Sequence, residues 1–204
     1  MATALAPNGA SAVTLPGTNL FRVSVAKYLQ MCELGTLTES DKVELIDGIL
    51  VKKMSRNAPH DSAISNLQLL LILLFQNRWV VRPQCALILP ISVPEPDLAV
   101  VTGPAGRYAR AHPRPADCEL VVEVAESSLA YDRGLKLQAY ARAALPEYWI
   151  VNLIDNIVEV YTDPRSRGRN PTYRSRTDYA LGESVPVVLG SAQVGTLPVS
   201  EIIL

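Results

Sequence analysis

Between Asp61 and Asn77 the chain is apolar on nearly every side, including the run Leu69-Leu70-Leu71-Ile72-Leu73-Leu74-Phe75. A helix of that kind is stable only when covered on more than one side, as between a sheet and other structure. The run falls far short of the roughly 18 apolar residues that span a bilayer, so it reads as a buried helix, with no membrane partner expected. Pro59, just upstream, suits a first helical turn. With 49% hydrophobic content in 204 residues, the chain can bury one substantial core. The expectation is one domain over residues 20–204, preceded by a tail over 1–19.

The rest of the chain has to supply the sheet. VELIDGILVKKM alternates apolar and polar residues around Asp47-Gly48, which predicts a hairpin of strands Val43 to Ile46 and Ile49 to Met54. A helix from Val23 to Leu34 precedes it, with Ser24 as a cap and Gly35 as a stop. Further strands are expected over Val80 to Leu89, Asp97 to Val101 and Leu120 to Val124. A helix over Arg133 to Ala144 ends before Pro146, and EYWIVN and IVEVYT form two strands joined through Asp155-Asn156. Terminal strands are expected near Tyr173 and from Val185 to Val188, and Gly103 to Pro115 reads as a loop. The fold class is α/β, a mixed sheet flanked by few helices, with additional β-hairpins.

A net charge of -1 and a pI near 6.1 give no overall field drawing the protein to nucleic acid, so a polyanion must be held by a local patch or a metal. Cys32, Cys85 and Cys118 form no CxxC pair and no zinc spacing, which fits a reducing, cytoplasmic compartment. The first residues, MATALAPNGASAVTLPGTN, lack the basic and apolar regions of a signal peptide.

Two acids stand apart from the fold pattern. Asp97 lies at the edge of the apolar strand Leu98-Ala99-Val100-Val101, and Glu123 interrupts Leu120-Val121-Val122-Glu123-Val124 on the face opposite Val122 and Val124. A carboxylate in a strand buried on both faces needs a partner. Two such acids on neighbouring strands can hold a hard divalent cation such as Mg²⁺, which takes one or two protein carboxylates and completes its shell with water and phosphate oxygens. A basic side chain belongs beside them, and Lys136 is the only lysine after Lys53. On a helix it shares a face with Asp132 and Tyr140. Each of these residues also has an ordinary reading, as an ion-paired core acid, an edge-strand charge or a solvated helix lysine.

The blocks VELIDGILVKKMS with Pro59-His60, EPDLAVV, LVVEVAESSLAYDRGLKLQAYARAALPEYWIVN and VEVY, in that order, resemble the Uma2 family, a bacterial branch of the PD-(D/E)XK nucleases related to restriction endonucleases. The resemblance spans Val23 to Tyr161. It implies a restriction-endonuclease-like core, Asp97 and Glu123 as the metal acids, the Val124 carbonyl as a further ligand, and Mg²⁺ as cofactor with Mn²⁺ able to replace it. The superfamily lysine would fall at Ala125, and the family pattern moves that role to Lys136. Glu44 matches the acid of the opening block and is an additional catalytic candidate; it reads equally well as a polar hairpin residue.

His60, taken alone, reads as an exposed residue at a helix start, or as a nucleic-acid contact. Arg165, Arg167 and Arg169, with Arg174, Arg176 and Tyr173 close by, form a local basic stretch that could touch phosphates or be a solvated hairpin tip. The leading expectation is a metal-dependent DNA endonuclease with a possible homodimer, the pairing by analogy with the fold. The rivals are a catalytically inactive nucleic-acid-binding or interaction module that keeps the fold, and a hydrolase of another phosphate ester.

Overall fold

Asp47 and Gly48 both take positive φ, 51° and 77°, the backbone of a two-residue turn whose twist matches the strands it joins. In the computed structural model, which describes residues 20–75 and 78–204, they connect β1 (Val43–Ile46) to β2 (Ile49–Lys52), with Leu45 opposite Leu50 and Ile46 opposite Ile49. A Cβ at position 48 would stand 2.8 Å from the Cβ of Arg22, so sterics demand glycine there as well. Ahead of the hairpin, α1 (Val25–Glu33) starts at Ser24, whose hydroxyl accepts from the Lys27 N–H at 3.2 Å. It stops at Gly35, with φ 70°. The tail expected over residues 1–19 lies outside the described residues, as do Gln76 and Asn77 at the end of the expected second helix.

The main sheet has six strands side by side in chain order: β3 (Trp79–Pro83), β4 (Leu98–Thr102), β5 (Cys118–Ala125), β6 (Glu147–Asn152), β7 (Ile157–Arg165) and β8 (Thr172–Ala180). Within it β5 and β6 pair in parallel and the other neighbours pair antiparallel. A parallel pair needs a crossover connection. Here it is a helical segment: α3 (Leu129–Tyr131), a π-helical turn (Asp132–Lys136) and α4 (Leu137–Arg142). It packs on one face, against Val121, Tyr148 and Ile150. The other face takes α2 (Ala58–Phe75), the hairpin of β9 (Ser184–Leu189) with β10 (Ala192–Pro198), and α5 (Val199–Ile202), around Leu67, Leu71, Val122, Val124 and Trp149. The centre of the sheet is therefore buried on both sides, as the apolar run of β5 demands.

Two expectations need correction. The strand expected over Val80 to Leu89 ends at Pro83, because proline offers no donor and Gln84 turns to φ 49°. Leu87 and Leu89 are buried all the same, in a loop that lies against β1 through the Leu45–Val93 bridge. The helix expected over Arg133 to Ala144 starts earlier and is π-helical through Asp132–Lys136. As expected, α2 is covered on more than one side, by the main sheet and by β10 with α5, while Leu69, Ile72 and Leu73 remain 58, 51 and 68% exposed. The sheet covers its inner side, and β10 packs so close that a Cβ at Gly195 would meet the Leu74 side chain.

Candidate active site

Asp97 immediately precedes β4, and Glu123 lies near the end of β5, in a ladder that pairs Leu98 with Val122. Each acid is tied to the other's strand. Asp97 Oδ2 accepts from the Val124 N–H at 2.9 Å, and the Asp97 N–H points to Glu123 Oε2 at 3.4 Å. Strand alternation turns Val122 and Val124 towards α2 and leaves Glu123 facing the crossover segment.

That segment delivers two groups to one oxygen. Lys136 Nζ donates to Glu123 Oε1 at 2.8 Å, and the Tyr140 hydroxyl, one α-helical turn on, donates to the same atom. The ammonium also lies 3.0 Å from Glu44 Oε2, so it bridges β5 and the β1–β2 hairpin while buried. Glu44 in turn accepts from the Glu95 N–H at 3.1 Å and the Tyr131 hydroxyl at 3.2 Å. His60 comes from the first turn of α2, where its N–H donates to the capping Asn57 Oδ1 at 3.1 Å. Its Nε2 lies 3.3 Å from Asp97 Oδ2. The ring is buried, which corrects the reading of an exposed helix start.

The electrostatics follow from burying many acids beside few bases. Burial pushes the Glu123 carboxyl up to about 8; Lys136 opposes this, and the charges of Asp97, Asp132 and Glu44 add to it. Asp132, also buried, is pushed up to about 6 by burial, against Lys136 and a hydrogen bond from Ser128. Burial works to lower Lys136, but the adjacent Glu123 and Glu44 outweigh it and hold the ammonium well above its ordinary range. His60 is raised too, because the Asp97 contact outweighs burial. The cluster thus gathers Asp97, Glu123, Glu44 and Asp132 around one ammonium and one imidazole. Such an excess of negative charge in a low-dielectric setting fits a divalent cation. Among the described residues no three His, Cys, Asp or Glu side chains form a ready cage. Two carboxylates completed by water and substrate oxygens are what Mg²⁺ ordinarily uses.

The arginines expected to touch nucleic acid do not join this cluster. Glu123, Ile150 and Glu159 lie in one row across β5, β6 and β7. Arg165 is six residues further along β7, about 20 Å at strand rise. Arg167 and Arg169 follow in the exposed connection to β8. Sequence reasoning missed Tyr131 and Glu95, which hold Glu44, and the pairing of Arg133 with Glu159. The alternation of β7 could have flagged Glu159, an acid between Val158 and Val160.

The family model Uma2, described as "Putative restriction endonuclease", matches residues 25–195. The chain belongs to the Uma2 family. A crystal structure described as a "putative nuclease belonging to DUF820", from Anabaena variabilis ATCC 29413, superposes on this Uma2 chain with a TM-score of 0.65. The match covers 88% of this chain and 97% of the other at 13% identity, a likeness of fold. No curated protein matches the chain. Membership of Uma2 supports a nuclease as the class of activity. Among the described residues no helix is long and apolar enough to cross a membrane.

Proposed function

We propose that this Uma2 chain is a Mg²⁺-dependent endonuclease that hydrolyses phosphodiester bonds in DNA, with Mn²⁺ able to replace Mg²⁺. The observation that carries the reading is the buried Lys136 ammonium, 2.8 Å from Glu123 and 3.0 Å from Glu44, beside an Asp97 tied to the same strand. Asp97 and Glu123 would hold the cation, with the Val124 carbonyl as a further donor. When bound, such a cation supplies Lewis acidity towards a phosphoryl oxygen and acidifies water. Lys136 orients the attacking water or stabilises the charge that develops on phosphorus as the new P–O bond forms and the P–O bond to the leaving sugar oxygen breaks. Glu44 assists by holding Lys136 in place. The superfamily lysine position is occupied by Ala125, fully buried, and the helix-borne Lys136 supplies the ammonium instead.

Arg165, Arg167 and Arg169 would contact the DNA backbone away from the reacting bond. A homodimer would provide the two sites that a double-strand cut needs. The three free cysteines fit a reducing compartment, and we place the enzyme in the cytoplasm.

The test is cleavage of supercoiled, linear and single-stranded DNA with Mg²⁺ or Mn²⁺. Alanine at Asp97 or Glu123 should abolish cleavage. If no DNA form is cut and calorimetric Mn²⁺ binding is insensitive to Asp97→Asn, the chain is an inactive module that retains the fold. Hydrolysis of bis(p-nitrophenyl) phosphate without DNA cleavage would assign it to another phosphate ester.

A further inference from the structure

The His60 ring is buried, yet only one of its nitrogens is engaged. Among the described residues Nδ1 has no hydrogen-bond partner, and Asp61 Oδ1 lies 3.6 Å from it, whereas Nε2 faces Asp97 Oδ2 at 3.3 Å. Leaving a buried nitrogen unpaired costs on the order of 1–3 kcal/mol. The ring is held in place despite that cost: Asn57 caps the first turn of α2 through the His60 N–H, and the Asn57 amide also reaches Glu126, at the turn after β5. The start of α2 is thereby fastened to the end of the strand that carries Glu123. Among the described residues, the shortest polar contact of this fixed ring is with the Asp97 carboxylate.

We propose that His60 is a positioning residue for Asp97. Its Nε2 stands 3.3 Å from Oδ2, the oxygen that also accepts from the Val124 N–H, and the two contacts fix the rotamer and leave Oδ1 with no hydrogen bond among the described residues. Carboxylates that bind metals are oriented by such outer hydrogen bonds, and losing one costs affinity. The role rests on the metal-binding reading of Asp97. In it, His60 touches neither the cation nor the DNA, which replaces its sequence-based assignment as a nucleic-acid contact.

The experiment is Mn²⁺ titration calorimetry on the full chain, with electron spin-echo spectroscopy of the bound ion. His60→Ala should weaken Mn²⁺ binding by about 10- to 100-fold. His60→Gln, whose amide nitrogen can stand in for Nε2, should restore it to within a few-fold, and wild type should show no nitrogen coupling from a directly bound imidazole. Wild-type affinity in His60→Ala would overturn the proposal. So would a His60→Gln variant as weak as His60→Ala together with nitrogen coupling in wild type, which would make the imidazole itself a ligand. If His60→Ala does not fold, His60→Gln against the shorter His60→Asn decides, and equal affinities overturn the role. Loss of binding in Asp97→Asn alongside an unaffected His60→Ala removes only His60. Binding unchanged by Asp97→Asn removes the metal site as well.

Discussion

Glu123 and Glu159 lie in one row of the sheet, separated by Ile150, both buried and both facing the crossover side. Their surroundings differ. Glu159 is fully enclosed by donors: the Arg133 guanidinium grips both oxygens, Arg176 lies 3.4 Å away, the Asn152 amide donates at 2.9 Å and the Tyr161 hydroxyl at 2.7 Å. Its charge is compensated by two cations, and it acts as a strut between β7 and the π-turn that carries Lys136. Among the described residues Glu123 has a single ammonium, which it shares with Glu44, and it feels the charges of Asp97 and Asp132. A buried acid with surplus cations is a structural element, and a buried acid among other acids has capacity for a cation from solution.

The largest effect is expected for Glu123→Gln. It should lower the proposed metal-dependent DNA cleavage by at least about 10⁴-fold, roughly 5 kcal/mol of transition-state stabilisation, while thermal melting shows little loss of stability. Glu159→Ala should do the reverse in kind, costing about 4 kcal/mol of folding stability because two guanidinium groups lose their buried partner. Urea unfolding measures it, and equal destabilisation by the two substitutions would erase the distinction.

Glu147 extends the series to an acid without a cation among the described residues. It lies on the opposite face of β6, where it accepts from the Trp149 indole N–H, and burial pushes its carboxyl from 4.5 up to about 7 despite that hydrogen bond. Because the folded value lies above the unfolded one, the folded state retains the proton longer. Stability should therefore fall as pH rises from about 4.5 to 7, by on the order of 3 kcal/mol, and level off above that. Glu147→Gln, which retains an acceptor for Trp149, should flatten this part of the pH–stability curve. The smallest effect is expected for Arg176→Ala, about 1 kcal/mol, since the residue is partly exposed and Arg133 still compensates Glu159.

The parts of the fold that were legible in the sequence rest on local chemistry. Asp47-Gly48 can satisfy two positive φ values, Ser24 can cap a helix and Gly35 can end one, whatever surrounds them. The pairing of Asp97 with Glu123 was legible for a related reason, since alternation assigns Glu123 a face and an apolar strand makes that acid costly. The end of β3 was not, because the apolar Leu87 and Leu89 are buried as loop residues, and periodicity does not separate a buried loop from a strand. The open side of α2 was equally hidden: an apolar surface states what burial would favour, and only the placement of β9, β10 and α5 decides which side is covered.

The turn chemistry, the central strands, the juxtaposition of Asp97 with Glu123 and the Uma2 resemblance all follow from residue type and short-range order. Long-range packing is what brings Lys136 to Glu123 and Glu44 together, adds Tyr140 and turns His60 inward to Asp97. Those contacts join residues far apart in the chain, and they depend on the crossover between β5 and β6 and on a π-turn that helical spacing alone does not specify. The balance of charge around Glu123 and Glu159 is likewise a property of distances, and it separates two acids that look alike as letters in a strand.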